Sequence, residues 1–493
     1  MRKKVFAVIL VLLLSVSATA TELSGLIEGD VVVVLKPSTE SSNSVSAANF
    51  AEFFGATVKE YYPALSESSG QVFMTLHSEG VDARKFSEAL LEDSRVLAAS
   101  PNYEVHAAVV PNDPRYGDCW GISNINAPSA WNRSTGSNNV YVAIIDTGID
   151  YSNPDLAANV DTSLAYRTIS GNSDNAFDDY GHGTHVAGTI GAVGNNGIGI
   201  AGVNWNVKMI PVKALDSSGN GTVASVMSAM NYVVSLINSG VNIRAVNLSL
   251  ETYIALVPNH NNLVQFPLWR AFKAVDDTNV AVTVVAAGNQ EQTVGQPSTN
   301  AHGNMVPGAG YYCYPASFVG LDNMISVSAL NIDSNTGATY LASFSNNGAS
   351  ISAPGVNILS TWLQNDVNSI GSDGVSLSSK QGTSMAAPHV AGAAALVSSV
   401  FPSATAYQIK QALLIGSNLD VSASLSYASA YLSSLTARGT EGRAYDDYKD
   451  YDSGSGGGGS SSGGSSSGGC SGFQLGITGA FLGIMLARKR MSW

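Results

Sequence analysis

The chain has 493 residues, of which 45% are hydrophobic and 12% are charged. This length and composition allow two or three domains with a large buried core, and they exclude a chain that is disordered throughout. The formal net charge of −13 would repel nucleic acid, so no nucleic-acid partner is expected.

The first twenty residues have the pattern of an export signal. A basic start is followed by an apolar run from Val5 to Leu14 and by Ala18-Thr19-Ala20, which fits the small-residue rule for signal peptidase. The apolar run is too short to span a bilayer of about 30 Å, so a permanent N-terminal anchor is disfavoured. We expect residues 1–20 to be a signal peptide and the protein to be exported.

Residues 21–110 predict a small α+β, ferredoxin-like unit. A β-branched run at Val31–Leu35 and a second strand at Gln71–Leu76 are each followed by a helical segment, at 47–54 and 83–91. A last strand near Asn102 would complete the unit.

Residues 111–437 predict a larger α/β domain. Apolar β-branched runs alternate with Ala-rich helical segments such as 223–236 and 267–275, which indicates a mostly parallel sheet covered by helices on both faces. The predicted strands are 140–145, 207–214, 245–250, 280–286 and 324–329.

Three polar residues in this domain are embedded in small residues. Asp146 ends the first predicted strand, where open α/β sheets place functional groups. His182 lies in Gly181-His-Gly-Thr-His185, and this pair of histidines would also suit a metal, although no third ligand motif accompanies it. Ser384 opens an Ala-rich helix whose free N–H groups favour an oxyanion, and Pro388 cannot donate to its carbonyl.

The strings Asp146-Thr-Gly, His182-Gly-Thr-His and Gly382-Thr-Ser-Met-Ala-Ala-Pro, in this chain order, resemble those of subtilisin-like serine proteases. The resemblance implies a three-layer α/β fold with a mostly parallel sheet and a serine endopeptidase that forms an acyl-enzyme. It assigns Asp146 as the orienting acid, His182 as the base and Ser384 as the nucleophile, with His185 as a packing residue. Asn289 would share the oxyanion with the Ser384 N–H.

The resemblance also places the substrate strand. The expected substrate-binding residues are Ser249, Leu250, Glu251, Ala286, Ala287 and Gly288. Glu251 stands where the family has glycine, so a preference for large apolar residues does not carry over. A carboxylate there suggests the alternative hypothesis of a preference for basic side chains.

A structural calcium ion is implied by the same resemblance. Its ligands would be Asp113, Asp155, Asn196 and the backbone carbonyls of Val193, Ile198 and Ile200. The loop from Val193 to Ile200 is one residue longer than the family's usual loop. No cofactor is expected for catalysis.

In this family, a module in the position of residues 21–110 is an inhibitory propeptide, and the alternative is an ordinary accessory domain. A slowly folding parallel sheet benefits from such a template. We expect the mature chain to begin between His106 and Pro114. The expected partners are protein or peptide substrates and the chain's own propeptide, and the enzyme is expected to be a monomer.

The C-terminal part resembles a bacterial sorting signal of the Gly-Gly type. Residues 438–469 are first acidic and then Gly/Ser-rich, which indicates a flexible linker. Residues 470–493 combine Cys470, an apolar stretch from Phe473 to Ala487 and a basic end. We expect a tail held transiently in the inner membrane of a Gram-negative-type cell and removed by a tail-processing protease. A permanent transmembrane anchor is the alternative.

Several questions stay open. The three cysteines allow three single pairings, and a bond between Cys119 and Cys313 is the favoured hypothesis. A surface-displayed binding or adhesion protein on the same fold is the alternative to a secreted protease.

Overall fold

The computed structural model describes residues 26–37, 43–103, 109–169, 176–255, 266–301, 306 and 308–438. The predicted signal peptide, the start of the predicted processing segment and nearly all of the predicted linker and tail lie outside the described residues. No described helix is long and apolar enough to cross a membrane.

Residues 26–103 form a small α+β unit. Its four strands make an antiparallel sheet in the order β2-β3-β1-β4. Its own core includes Val31, Val33, Phe50, Met74 and Leu90. The strands are β1 (Leu26–Leu35), β2 (Thr57–Tyr61), β3 (Val72–His77) and β4 (Val96–Tyr103), and the helices are α1 (Asn43–Phe53), α2 (Pro63–Ser69) and α3 (Ala83–Leu91).

The larger part of the described chain is organised around an eight-stranded, mostly parallel sheet. Its main order is β13-β12-β10-β8-β5-β7-β6, with β14 beside β12, and the described pairings are parallel except that of β12 with β13. All five strands predicted for this region are present. The strands are β5 (Gly136–Asp146), β6 (Tyr166–Arg167), β7 (Asn206–Lys213), β8 (Ile243–Leu248), β10 (Val282–Ala286), β12 (Met324–Ile332), β13 (Thr339–Leu341) and β14 (Ile351–Pro354).

Helices cover this sheet, as expected for a doubly covered parallel sheet. The helix that begins at Thr383 packs against β5, β8, β10 and β12 and is buried along most of its length, because its alanines allow close approach to the strands. The helices are α4 (Trp120–Asn124), α5 (Ala127–Trp131), α6 (His182–Gly191), α7 (Val223–Asn238), α8 (Pro267–Asp276), α9 (Thr383–Val400), α10 (Ala406–Leu413) and α11 (Val421–Arg438).

The hypothesis of a Cys119–Cys313 disulfide is wrong. Alternate residues of β5 enter two different cores: Val142 and Ile144 enter one, and Ala143 and Ile145 the other. Since alternate residues of a strand face opposite sides of its sheet, the two cores lie on opposite faces. Cys119 belongs to the first core and Cys313 to the second, and both are buried free thiols.

Two short antiparallel ribbons stand beside the main sheet. In one, β9 (Thr252–Ala255) pairs with β11 (Tyr311–Tyr314), and in the other, β15 (Ile358–Thr361) pairs with β16 (Leu377–Lys380). The first ribbon begins directly after Glu251, and the second ends four residues before Ser384. Both ribbons therefore border the carboxyl edge of the sheet, where the predicted site residues lie.

Candidate active site

Asp146 is the last residue of β5, and its side chain is fully buried. Its Oδ1 accepts the Thr147 backbone N–H at 2.7 Å and lies 2.7 Å from Nδ1 of His182. The strand end thus brings a carboxylate into hydrogen-bond contact with an imidazole 36 residues later in the chain.

His182 is the first residue of α6, and the following glycine allows the helix to approach the Asp146 loop. A Cβ at Gly183 would lie 2.1 Å from the carbonyl oxygen of Gly148 and 3.1 Å from the Asp146 Cβ. The first distance is far below van der Waals contact, and it is to a backbone atom. Only glycine therefore lets the helix start where the His182 ring meets Asp146.

The pKa values of the two histidines in this helix are shifted in opposite directions. Burial lowers the pKa of His182, but the charge and hydrogen bond of Asp146 outweigh it, so the net pKa lies above the ordinary value. Burial lowers the pKa of His185 to about 3, and its Nε2 lies 2.9 Å from the Ile358 carbonyl oxygen. His185 is therefore a neutral packing residue.

Ser384 lies in the first turn of α9 and exchanges two hydrogen bonds with Ser249. Its Oγ donates to the Ser249 carbonyl at 3.2 Å, and the Ser249 hydroxyl donates to the Ser384 carbonyl at 2.8 Å. Pro388 lacks the N–H that would otherwise bond this carbonyl, so Ser249 replaces a missing helical donor. Transfer of the Ser384 proton to His182 requires the hydroxyl to leave the Ser249 carbonyl.

The side-chain amide of Asn289 lies close to the backbone N–H of Ser384. Oδ1 of Asn289 accepts from the Thr383 backbone N–H at 2.8 Å and from the Thr383 hydroxyl at 3.1 Å, which fixes the orientation of the amide. A Cβ at Gly382 would lie 3.7 Å from the Ser384 backbone nitrogen, and 3.6 and 3.8 Å from Oδ1 and Nδ2 of Asn289. The amide and the Ser384 N–H therefore lie on the same side of Gly382.

A cavity of about 400 Å³ connects these groups. It contains the candidate base and the candidate nucleophile on one surface, together with four of the six predicted substrate-binding residues. Its lining includes His182, Ser249, Leu250, Glu251, Ala286, Asn289 and Ser384, and further Tyr180, Gly219, Thr222, Val226, Leu268, Phe272 and Pro315.

Ala287 and Gly288 do not line this cavity. The Ala287 carbonyl accepts the Asn346 amide at 2.8 Å and the Cys313 thiol at 3.3 Å, so it is bound within the protein. The role in substrate binding that the sequence predicts for these two residues stays a prediction.

The residues predicted to bind calcium also come together. Asp155 Oδ1 accepts the Asn196 amide at 2.7 Å and Oδ2 accepts the Ile200 N–H at 2.9 Å, while Asp113 accepts the Asn195 and Asn196 N–H groups at 2.6 and 3.2 Å. Within the described part of the chain, no cluster of three or more His, Cys, Asp or Glu side chains has a metal-binding arrangement. The predicted set contains only two such residues, so this finding does not bear on it.

The chemistry of this loop fits a hard cation. Burial raises the pKa of Asp155 to about 7, and the charges of Asp113 and Asp373 add to the effect. No described residue donates a hydrogen bond to the carbonyl oxygens of Val193, Ile198 or Ile200. Uncompensated carboxylate charge beside unbonded carbonyl oxygens is the environment in which calcium binds.

Sequence reasoning missed the residues that hold the loop after Asn289. Oδ1 of Asn346 accepts the N–H groups of Gln290 and Gln292 at 3.1 and 2.7 Å, and its Nδ2 donates to the Tyr253 hydroxyl at 3.1 Å. Asn346 is far from Asn289 in the chain and belongs to no motif. Nothing in its local sequence could have revealed this contact.

Comparison with known proteins identifies the family. Residues 137–431 match the model of the subtilase family, peptidase S8. The chain is 32% identical to a thermophilic serine proteinase of Bacillus sp. strain AK1 over 76% of this chain and 78% of that protein. It is 34% identical to an extracellular protease of Xanthomonas campestris over 63% of this chain and 54% of the relative.

Among solved structures, fervidolysin from Fervidobacterium pennivorans, described as a keratinolytic enzyme related to subtilisin, has a TM-score of 0.51 at 24% identity. The match covers 81% of this chain and 61% of fervidolysin, and it shows the shared fold. Family membership favours a hydrolase over the binding-protein alternative. The chain belongs to the subtilase family and is a serine endopeptidase with the subtilisin-like α/β fold.

Proposed function

We propose that this endopeptidase acts through Asp146, His182 and Ser384. Oγ of Ser384 attacks the peptide carbonyl carbon while His182 takes its proton, and His182 then protonates the leaving amine. Water hydrolyses the resulting acyl-enzyme by the same proton path. The observation that carries this proposal is the 2.7 Å contact between Asp146 and His182 at the wall of a cavity that also contains Ser384.

The negative oxygen that forms during attack requires donors that are already in place. In this proposal, the Ser384 N–H and the Asn289 Nδ2 group supply them, because the Asn289 amide lies close to the Ser384 backbone nitrogen and both residues line the same cavity. The Thr383 N–H and hydroxyl both bond Oδ1 of Asn289, which leaves Nδ2 as the part of the amide that can donate to the oxyanion.

The proposal extends to the maturation of the enzyme. Residues 21–110 would act as an inhibitor and folding template, consistent with the separate core of the unit at 26–103. Residues 1–20 would direct export, which agrees with the description of one relative as extracellular. The enzyme would then be secreted or displayed at the cell surface after a further protease removes the C-terminal tail.

Calcium would bind between Asp155, Asp113, Asn196 and the carbonyls of Val193, Ile198 and Ile200. We expect a chelator to lower the unfolding temperature of the mature enzyme by at least about 5 °C, since a ligand at 100 times its Kd stabilises by about 2.7 kcal/mol. Scanning calorimetry with and without added calcium would measure this difference. Asp155→Asn is the matched variant, and its unfolding temperature should not respond to the chelator. An equal response in both proteins would contradict the site.

A fluorophosphonate probe tests the proposed function. Oγ of Ser384 should form a bond to phosphorus as fluoride leaves and its proton passes to His182. Peptide mass spectrometry should then find one adduct, at Ser384. The labelling rate should fall as the medium is acidified, because protonated His182 cannot accept the proton. Since the pKa of His182 is raised, this fall should begin at a higher pH than for an ordinary histidine.

Heat-unfolded protein is the control for this labelling and should carry no adduct. A modified residue other than Ser384, or a rate that is constant between about pH 5 and 8, would contradict the proposed triad.

A further inference from the structure

The carboxylate of Glu251 lies inside the substrate cavity, directly behind the proposed oxyanion site. Oε2 accepts the backbone N–H of Asn289 at 3.0 Å and lies 3.5 Å from the Tyr253 hydroxyl. A Cβ at Gly288, whose φ is +106°, would lie 2.7 Å from this oxygen. Glycine at 288 therefore leaves room for the Glu251 carboxylate beside Asn289.

Glu251 has no counter-ion among the described residues. Its partners are neutral: the Asn289 backbone and side chain, the Gln290 side chain and the Tyr253 hydroxyl. No described lysine, arginine or histidine lies within ion-pair distance of it. Burial raises the pKa of Glu251, and after burial the Glu251 charge is the next cause that raises the pKa of Cys313. A half-buried carboxylate without a cationic partner is costly until a cation reaches it.

A substrate side chain would reach this carboxylate under the proposed function, on which this inference rests. The carbonyl under attack belongs to the residue before the scissile bond, and its oxygen would meet Asn289 Nδ2. The Cα of that residue is about 1.5 Å from the carbonyl carbon. Glu251 bonds the backbone of the same Asn289, so its carboxylate lies near the carbonyl under attack. The four-carbon stem of a lysine, or the longer arginine side chain, can span the distance from the substrate Cα to this carboxylate.

We propose that Glu251 makes this enzyme select lysine or arginine immediately before the scissile bond. The substrate cation supplies the missing counter-ion and forms a charge-assisted hydrogen bond with the Glu251 carboxylate. A large apolar side chain would instead cover the carboxylate without replacing its hydration.

Paired peptides that differ only in charge test the proposal. One carries arginine before the scissile bond and the other carries citrulline, which has nearly the same shape and no charge. We expect kcat/KM to be at least about tenfold higher for arginine at pH 8, as for a hydrogen bond between charged partners. In Glu251→Gln, the ratio should fall close to one, while Glu291→Gln, which removes an exposed charge two residues after Asn289, should keep it.

The same ratio gives a second measurement that needs no variant. It should decline as the pH falls and Glu251 takes up a proton, whereas protonation of His182 slows both peptides equally and cancels. The other titratable groups that face Glu251 are Tyr253 on β9 and Cys313 on β11. Burial raises the pKa of both, so they keep their protons throughout this range.

Equal cleavage of the two peptides by the wild type would overturn the inference. So would an unchanged ratio in Glu251→Gln, or faster cleavage after alanine than after arginine, since Glu251 would then only fill the pocket. Failure of the proposed function is separately visible, because Ser384→Ala would then still cleave both peptides.

Discussion

Ser384→Ala is expected to lower kcat for peptide cleavage by roughly a million-fold, the loss known for a subtilisin triad. The change removes the only atom that is proposed to attack the carbonyl. The Ser384 carbonyl should still accept the Ser249 hydroxyl, because that contact involves backbone and not the lost Oγ. The fold should therefore survive while the chemistry is lost.

Ser399→Ala is a matched control on the same helix. The Ser399 hydroxyl donates to the Leu396 carbonyl and contacts Ser134, outside the cavity, so this variant should keep near-normal activity. Fluorogenic peptide cleavage by mature, purified proteins would give the comparison, with circular dichroism to confirm folding. Ser384→Ala protein with more than a few percent of wild-type activity would remove Ser384 from the mechanism.

Asp146→Asn is expected to lower kcat by about ten-thousand-fold near neutral pH, as in the corresponding variant of a serine protease triad. The neutral amide no longer stabilises the imidazolium of His182. The new amide also has no acceptor, because Oδ2 of Asp146 is buried without a hydrogen-bond partner among the described residues.

A pH profile separates this role from a merely structural one. Asp146 raises the pKa of His182, so its removal should move the acid limb of the kcat/KM profile to lower pH. Asp161→Asn, a change at a short-helix cap away from the cavity, should leave the limb unchanged. An acid limb at the same pH in Asp146→Asn and wild type would show that Asp146 does not act on the titrating group.

Much of the fold could be predicted, because buried parallel strands and packed helices leave continuous local patterns. The helix at 83–91 is found with the predicted bounds, since its capping aspartate and apolar spacing agree. In the small unit, β2 and α2 were missed because Thr57–Tyr61 is largely polar and exposed and Pro63–Ser69 is rich in serine. The cysteine hypothesis failed because spacing along the chain says nothing about which face of the sheet a residue meets.

The candidate site was predictable where one motif contained both the reactive residue and the glycines it needs, as at His182 and Ser384. Contacts between distant segments were not. Tyr253 meets Cys313 because β9 pairs with β11, and Asn346 bonds Tyr253 because the chain returns beside Gly288. Likewise, the bond between Ser249 and Ser384 joins the segment after β8 to the start of α9, which lie 135 residues apart in the chain.

The burial of α9 has a consequence for how this protease survives its own activity. The helix that carries Ser384 is enclosed by the sheet along most of its length, so it belongs to the part of the molecule that opens last. A molecule that is open enough at its core to be cut has already lost the alignment that lets it cut. Self-digestion of the core is therefore a reaction between two molecules, one open and one intact.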